Sequence, residues 1–206
     1  MTTSDLAPVS SAAPTSLRRL LTPVLAILGL IAADQLSKWW VFEVLLRVKG
    51  EPRGLCDWLL TARHWSVYGE PSEFAERLLL PFANLVMVWN RGVSFGLFSG
   101  TGGQNPYILV GVAAVITVVL LAWLLRARTR LIRAALVLII AGAVANVYDR
   151  LRFGAVADFM DLHVAGYHWP AFNIADSAIV IGALLLVLDA LNLGARAAST
   201  SPQQNG

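Results

Sequence analysis

Four long apolar stretches, each close to a membrane crossing in length, are set apart by polar segments. A helix gains about 1.5 Å per residue, so roughly 20 apolar residues cross about 30 Å of hydrocarbon. The first stretch follows Arg18 and Arg19, runs from Leu20 to Ala33 without a charge, and continues through Asp34, Gln35, Lys38, Trp39 and Trp40 to about Leu46. The second, Tyr107 to Leu125, carries no charge at all. The third runs from Ala134 to about Tyr148 and stops on Asp149 and Arg150. The fourth runs from about Asn173 to Leu193, with Asp176 near its start and Asp189 near its end. This pattern predicts four transmembrane helices. Arg18-Arg19, the apolar run and Ile31-Ala32-Ala33 also have the outline of a cleavable signal peptide. Apolar sequence resumes at Trp39, however, which favours a span.

Charge then orients the spans. Arg18 and Arg19 precede the first, and Arg126, Arg128, Arg130 and Arg133 crowd the loop between the second and third, so both termini are expected in the cytoplasm. The connections at about 47–106 and 150–172 then lie outside. Within the former, Leu78 to Trp89 suits an interfacial helix or short strand, and Gly92, Gly96, Gly100, Gly102 and Gly103 suit turns or bent strands. Residues 1–16 and 197–206 read as disordered cytoplasmic ends around a membrane domain at 17–196. A chain of 206 residues that is 57% hydrophobic and 14% charged is not a large soluble enzyme. Its net charge of +3 sits in short Arg clusters without interleaved aromatics, which fits anionic lipid and not nucleic acid. The one cysteine, Cys56, excludes an intramolecular disulfide and a cysteine-based metal cluster.

Ionisable groups inside a span are costly, so each is a functional candidate. Asp34 lies roughly 22 Å above Arg19, and Asp149 roughly 24 Å above Arg133. Asp176 opens the fourth helix, so the three carboxylates share a depth near the outer face. Gly142, Asn146 and Asp149 form one stripe on the third helix; Asn173, Asp176 and Ser177 form another on the fourth. Asp34 and Lys38 are an i, i+4 pair able to neutralise itself, and Asp149 beside Arg150 reads as a structural ion pair. Asp189 reads as a solvated helix end, and Trp39, Trp40 and Trp169 as interfacial belt residues. Asp158 follows Ala155-Val156-Ala157 and precedes Phe159, an apolar setting that raises a carboxyl pKa. Asp158 and Asp176 together could share a proton, one acting as base on water while the other donates to a carbonyl. His64, His163 and His168 lack zinc-site spacing, and no serine or cysteine nucleophile constellation stands out. A transporter or proton relay could use the same carboxylates, and a non-enzymatic scaffold would leave the polar stripes unexplained.

Five blocks then stand in order: Asp34-Gln35-Leu-Ser-Lys38, Asn90-Arg-Gly92-Val-Ser94-Phe95-Gly96, Gly142-Ala-Val-Ala-Asn146-Val-Tyr-Asp149-Arg150, Val156-Ala-Asp158-Phe159 and Pro170-Ala-Phe172-Asn173-Ile-Ala175-Asp176-Ser177. Together they closely resemble the signature blocks of lipoprotein signal peptidase, the type II signal peptidase. The resemblance implies an all-α integral membrane protein of four transmembrane helices, with a small extracytoplasmic β half-barrel and amphipathic helix built from residues 47–106. It implies an aspartyl endopeptidase of the bacterial inner membrane that cuts diacylglyceryl-modified prolipoproteins just before the lipidated cysteine. By the same match Asp158 and Asp176 are the catalytic dyad. Asn146, Asp149, Arg150 and Asn173 support the site, and Asp34, Lys38, Asn90 and Gly92 belong to its outer rim and substrate-facing parts. The expected partners are prolipoproteins and membrane lipids, the expected state is a monomer, and neither a metal nor another cofactor is expected. The stretch from about Val48 to Leu80, with Cys56, Trp58, Trp65 and Tyr68, exceeds the family pattern and has no assigned role. Arg53-Gly-Leu-Cys56 lacks the small residues of a lipobox, so the chain is not expected to be a substrate itself.

Overall fold

A computed structural model describes residues 15–68, 73–92 and 106–199. Four helices in it are long and apolar enough to cross a membrane, at Leu20–Leu46, Pro106–Arg126, Arg130–Phe153 and Ile174–Leu191. The first is α1 (Thr15–Trp39), prolonged by a wider π-helical segment at Trp40–Leu46. A short helix α2 (Leu55–Leu60) and a 3-10 turn (Trp65–Val67) follow, then the strands β1 (Arg77–Leu80) and β2 (Ala83–Asn90). After α3 (Pro106–Arg126) and α4 (Arg130–Phe153) come β3 (Val156–Val164), β4 (Tyr167–His168) and α5 (Ile174–Ser199). The strands form one antiparallel sheet in the order β1-β2-β3-β4. Leu78–Trp89 is thus a hairpin and not an interfacial helix, as its β-branched and aromatic content allowed. Residues 1–14 and 200–206, most of the two expected disordered ends, and Gly96 to Gly103 lie outside the described residues.

The third span is longer than its apolar core. Thr129 caps α4 by accepting a hydrogen bond from the Ile132 amide, and the helix runs past Tyr148 for another turn and a half. It can do so because Asp149, the charge expected to end it, is buried against a cation from α1. The helix stops at Gly154, whose left-handed φ of +75° returns its N–H to the Arg150 carbonyl.

Helix α4 packs against α1, α3 and α5. Against α5 it comes unusually close. A Cβ on Gly142 would stand 2.3 Å from the Ala175 carbonyl oxygen, and one on Gly182 2.7 Å from that of Ala135. Small residues at such crossings let two helices approach backbone to backbone in lipid, where packing supplies most of the attraction. Gly142→Ala is therefore expected to destabilise by about 1–3 kcal/mol, the usual cost of overpacking. Thermal unfolding in detergent micelles checks this, with Gly111→Ala, which meets nothing within 4 Å, as the variant that leaves the melting temperature alone.

The unassigned stretch after Val48 proves to be a buttress. Trp58 and Tyr68 are buried with Phe42, Phe153 and Phe159 in an aromatic cluster behind β2 and β3. Glu43 ties this stretch to the first span: it accepts hydrogen bonds from the Arg47 side chain (2.6 Å), the Arg53 amide (2.9 Å) and the Tyr68 hydroxyl. Burial and this carboxylate together hold the Tyr68 phenol well above its usual pKa. Trp39, expected in the interfacial belt, is half-buried. Its indole donates to the Arg53 carbonyl and its ring packs on the aromatic cluster, whereas Trp40 and Trp169 are 50% and 62% exposed.

Candidate active site

Asn173 immediately precedes α5 and caps it. Its Oδ1 accepts from the Asp176 amide at 2.9 Å while Asp176 Oδ2 accepts from the Asn173 amide at 3.3 Å, a reciprocal capping pair. The Asn173 Nδ2 group points the other way and donates to Asp158 Oδ1 on β3 at 2.7 Å. One side chain thus joins the two carboxylates that the sequence singles out. Asn146 of α4 completes the set by donating to Asp176 Oδ1 at 2.7 Å, and its own Oδ1 lies 3.3 Å from Asn173 Nδ2. The stripes Asn146–Asp149 and Asn173–Asp176 therefore face each other, brought together by the Gly142–Ala175 crossing.

Asp158 is buried, and its carboxyl pKa is pushed up to about 7, first by desolvation and second by the charge of Asp176. Hydrogen bonds from Asn90 and Asn173 oppose the rise without cancelling it. Asp176 sits in the first turn of α5, where the free amides of a helix N-terminus favour a negative charge. The two carboxylates thus stand in unequal surroundings, Asp158 enclosed on β3 and Asp176 at a helix N-terminus.

The raised pKa has a consequence for stability. A carboxyl whose folded pKa lies above its unfolded one contributes stability that is complete below the unfolded value, near 4, and is lost as pH rises through the folded value, near 7. Wild-type melting temperature is expected to fall over that window on account of Asp158. Asp158→Asn, which never ionises, should lack this component of the slope and melt higher than wild type above pH 7. Differential scanning fluorimetry from pH 4 to 8 measures it, and parallel curves would contradict the assignment.

Behind the pair lies a dry ionic cluster. Lys38 Nζ is 2.7 Å from Asp34 Oδ2 and 2.7 Å from Asp149 Oδ2, and all three side chains are fully buried. The expected Asp34–Lys38 pair forms, but it is shared with Asp149. Asp149 is accordingly not the partner of Arg150, as their adjacency suggested. Successive helical residues point to different faces, and Arg150 turns its Nη1 to the Asn146 carbonyl. Its guanidinium lies in the field of Asp176, Asp149 and Asp158, and its buried Nε has no hydrogen-bond partner. Asp34 and Lys38, expected at the rim, are enclosed and hold the site from behind. Asn90 reaches Asp158 from β2, and its Oδ1 also accepts from the Gly92 amide at 3.1 Å. Gly92 itself has a φ of +138°, a conformation that favours glycine.

Sequence reasoning missed Gln35, whose Nε2 donates to Asp149 Oδ1 at 2.7 Å. Its place beside Asp34 in a span was the available signal. Two backbone amides were also missed. Asp149 Oδ2 accepts from Ala157 N–H at 3.1 Å, and Asp34 Oδ1 from Ala175 N–H at 3.0 Å. Each is the residue just before a member of the Asp158–Asp176 pair. Among the described residues, no group of three His, Cys, Asp or Glu side chains is arranged to hold a metal ion.

The chain is similar to known proteins over most of its length. The chain is 39% identical over 183 residues to a lipoprotein signal peptidase of Methylorubrum extorquens (strain PA1), covering 89% of this chain and 93% of that protein. It is 47% identical over 124 residues to a lipoprotein signal peptidase of Methylobacterium radiotolerans, covering 60% and 72%. A solved bacterial membrane enzyme shares the fold with a TM-score of 0.62 at 22% identity, covering 91% of this chain and 95% of that one. A second superposes with a TM-score of 0.61 at 23% identity, covering 84% and 94%. The family model described as signal peptidase (SPase) II matches residues 26–192, and the chain belongs to that family.

Proposed function

We propose that this protein is an aspartyl endopeptidase that removes the signal peptide from diacylglyceryl-modified prolipoproteins, cutting on the N-terminal side of the lipidated cysteine. The observation that carries the reading is the Asn173 bridge between Asp158 and Asp176, which holds two carboxyls of unequal character where the spans meet the sheet. Asp176 is the base. It takes a proton from water as the water oxygen attacks the scissile carbonyl carbon, while Asp158 gives its proton to the carbonyl oxygen. The tetrahedral diol then collapses. The C–N bond breaks, the proton on Asp176 passes to the leaving amine, and Asp158 recovers a proton from a diol hydroxyl. Asn146 and Asn173 donate to the carboxylates throughout and keep their oxygens aimed.

The signal helix approaches between the spans from the lipid, so the acyl chains need not leave the bilayer. On this reading the site lies at the extracytoplasmic face of the inner membrane, both termini are cytoplasmic, and a monomer suffices. Residues 17–196 form the peptidase domain, and the helices α1 and α5 reach slightly beyond it, to Thr15 and Ser199. The conduction alternative gains nothing from α3, where Thr117 closes its hydroxyl onto the Ala113 carbonyl. The test is purified protein in detergent with a prolipoprotein in lipidated and unlipidated forms, products read by mass. The expected result is one cut, immediately before the lipidated cysteine and absent from the unlipidated form. Intact lipidated substrate after incubation with folded protein would sink the proposal.

A further inference from the structure

The buttress after Val48 reaches toward the aspartate pair at one point. Trp65 opens the 3-10 turn, and Arg91, the residue just after β2, lays its guanidinium over the indole, 4.8 Å from the ring centre. Arginine on tryptophan is a favoured pairing, because the guanidinium meets the negative face of the ring. Arg91 matters for what stands on either side of it. Asn90, before it, reaches Asp158, and Gly92, after it, supplies the amide that Asn90 Oδ1 accepts at 3.1 Å. That amide belongs to the peptide unit between Arg91 and Gly92, so the Arg91 backbone decides where Asn90 Oδ1 is held. With Oδ1 occupied, Nδ2 is the atom that donates to the Asp158 carboxylate.

This peptide needs an outside hold. Gly92 has a φ of +138°, and a glycine turns freely, so its own backbone does not fix the plane. Trp65 supplies the hold because it is anchored on both sides. Upstream, the Leu59 carbonyl accepts from the Tyr148 hydroxyl and the Thr61 carbonyl from Arg152 Nη2 at 3.1 Å, both donors lying at the end of α4. Downstream, Tyr68 is buried and donates its hydroxyl to Glu43. Between these anchors His64 Nδ1 lies 2.7 Å from Ser66 Oγ and closes the turn. A Cβ on Gly154 would stand 3.1 Å from the His64 ring and 3.7 Å from the Trp65 ring, so the turn rests on the junction of α4 and β3.

We propose that Trp65 is a positioning residue, which through Arg91 and the Arg91–Gly92 peptide holds the Asn90 amide on Asp158. For the chemistry this rests on the reading of Asp158 as the acid of the pair. A hydrogen bond to a carboxylate favours the anion, and Asn90 accordingly keeps the Asp158 pKa below where burial and Asp176 alone would put it. A slack Asn90 lets that pKa rise. The charges facing Asp158 are Asp176 on α5, Arg150 on α4 and Lys38 on α1, with Asp34 and Asp149 against Lys38. Replacing Trp65 leaves all of them in place, and Arg91 as well.

Melting temperature against pH reads the Asp158 proton with no substrate present, so it tests the hold on Asn90 whether or not the protein is a peptidase. Cleavage against pH then ties the same residue to the chemistry. Both are followed from pH 4 to 9 in detergent. In Trp65→Leu the fall in melting temperature should extend about half a pH unit higher than in wild type, a part of what a charge-assisted hydrogen bond contributes. Cleavage should then drop only about fourfold from pH 6 to pH 8, against about tenfold in wild type. Arg91→Met should shift both curves the same way, and Trp65→Tyr, which keeps an aromatic face, should restore them. Asn90→Ala should give the full shift, and adding Trp65→Leu to it should move the curves no further. Wild-type curves in either Trp65→Leu or Arg91→Met overturn the proposal, and so does a Trp65→Leu shift that is as large in the Asn90→Ala background. Shifted melting curves in a protein that cleaves nothing would uphold the hold on Asn90 and sink the peptidase reading instead.

Discussion

Asp158→Asn and Asp176→Asn should each cut turnover by at least about 10³-fold, within the range set by removing a positioned acid or base. Both variants should keep the fold, because the asparagine amide is nearly isosteric and the partner groups can adjust to it. At position 158 an Asn Oδ1 still accepts from Asn173, so the bridge survives while the transferable proton is lost. At position 176 one carboxylate oxygen becomes an amide NH2, a donor that cannot accept from the Asn173 amide, so the cap should weaken slightly. A double variant should be no slower than the worse single one, since each residue is useless without the other. Single-turnover cleavage of a lipidated prolipoprotein, with the circular dichroism of each variant beside it, makes the measurement. Full activity in either single variant would remove that residue from the proposed chemistry. Wild-type activity should also decline as pH rises through about 7, where Asp158 gives up the proton it must donate.

The sequence makes the spans legible because lipid imposes a simple demand, a long apolar helix, that composition alone can reveal. It also makes the depth of Asp34, Asp149 and Asp176 legible, since helical rise is constant. Partner choice was less accessible. Asp149 has a cation beside it in the chain and uses another, Lys38, from a different helix, because i, i+1 neighbours on a helix diverge while facing helices converge. The strands between Arg77 and Asn90 were ambiguous because a short apolar run fits either a strand or an interfacial helix. Tertiary pairing with β3 decides the matter. The buttress around Trp58 and Tyr68 was illegible for a further reason. It is held by Glu43, a charge in the first span whose partners lie up to 25 residues away in the chain.

Lys38→Met should be among the most damaging single substitutions outside the aspartate pair. Its ammonium lies between Asp34 and Asp149, with no solvent reaching any of the three side chains. Removing the cation leaves two uncompensated buried carboxylates, and breaking a buried pair in this way costs about 3–5 kcal/mol. The damage should reach the chemistry as well. Asp149 holds the Ala157 amide and Asp34 the Ala175 amide, so Lys38 ties together the two anchors that fix the backbone just before Asp158 and just before Asp176. Neutralising the anchors separates the two effects. In Lys38→Met with Asp34→Asn and Asp149→Asn, each Asn can still offer an oxygen to its amide while no charge is left buried. The triple variant should therefore recover most of the lost melting temperature in detergent, whereas Lys38→Met alone melts far below wild type. If the triple variant melts as low as the single one, the cost lies in lost packing of the lysine stem and not in unpaired charge.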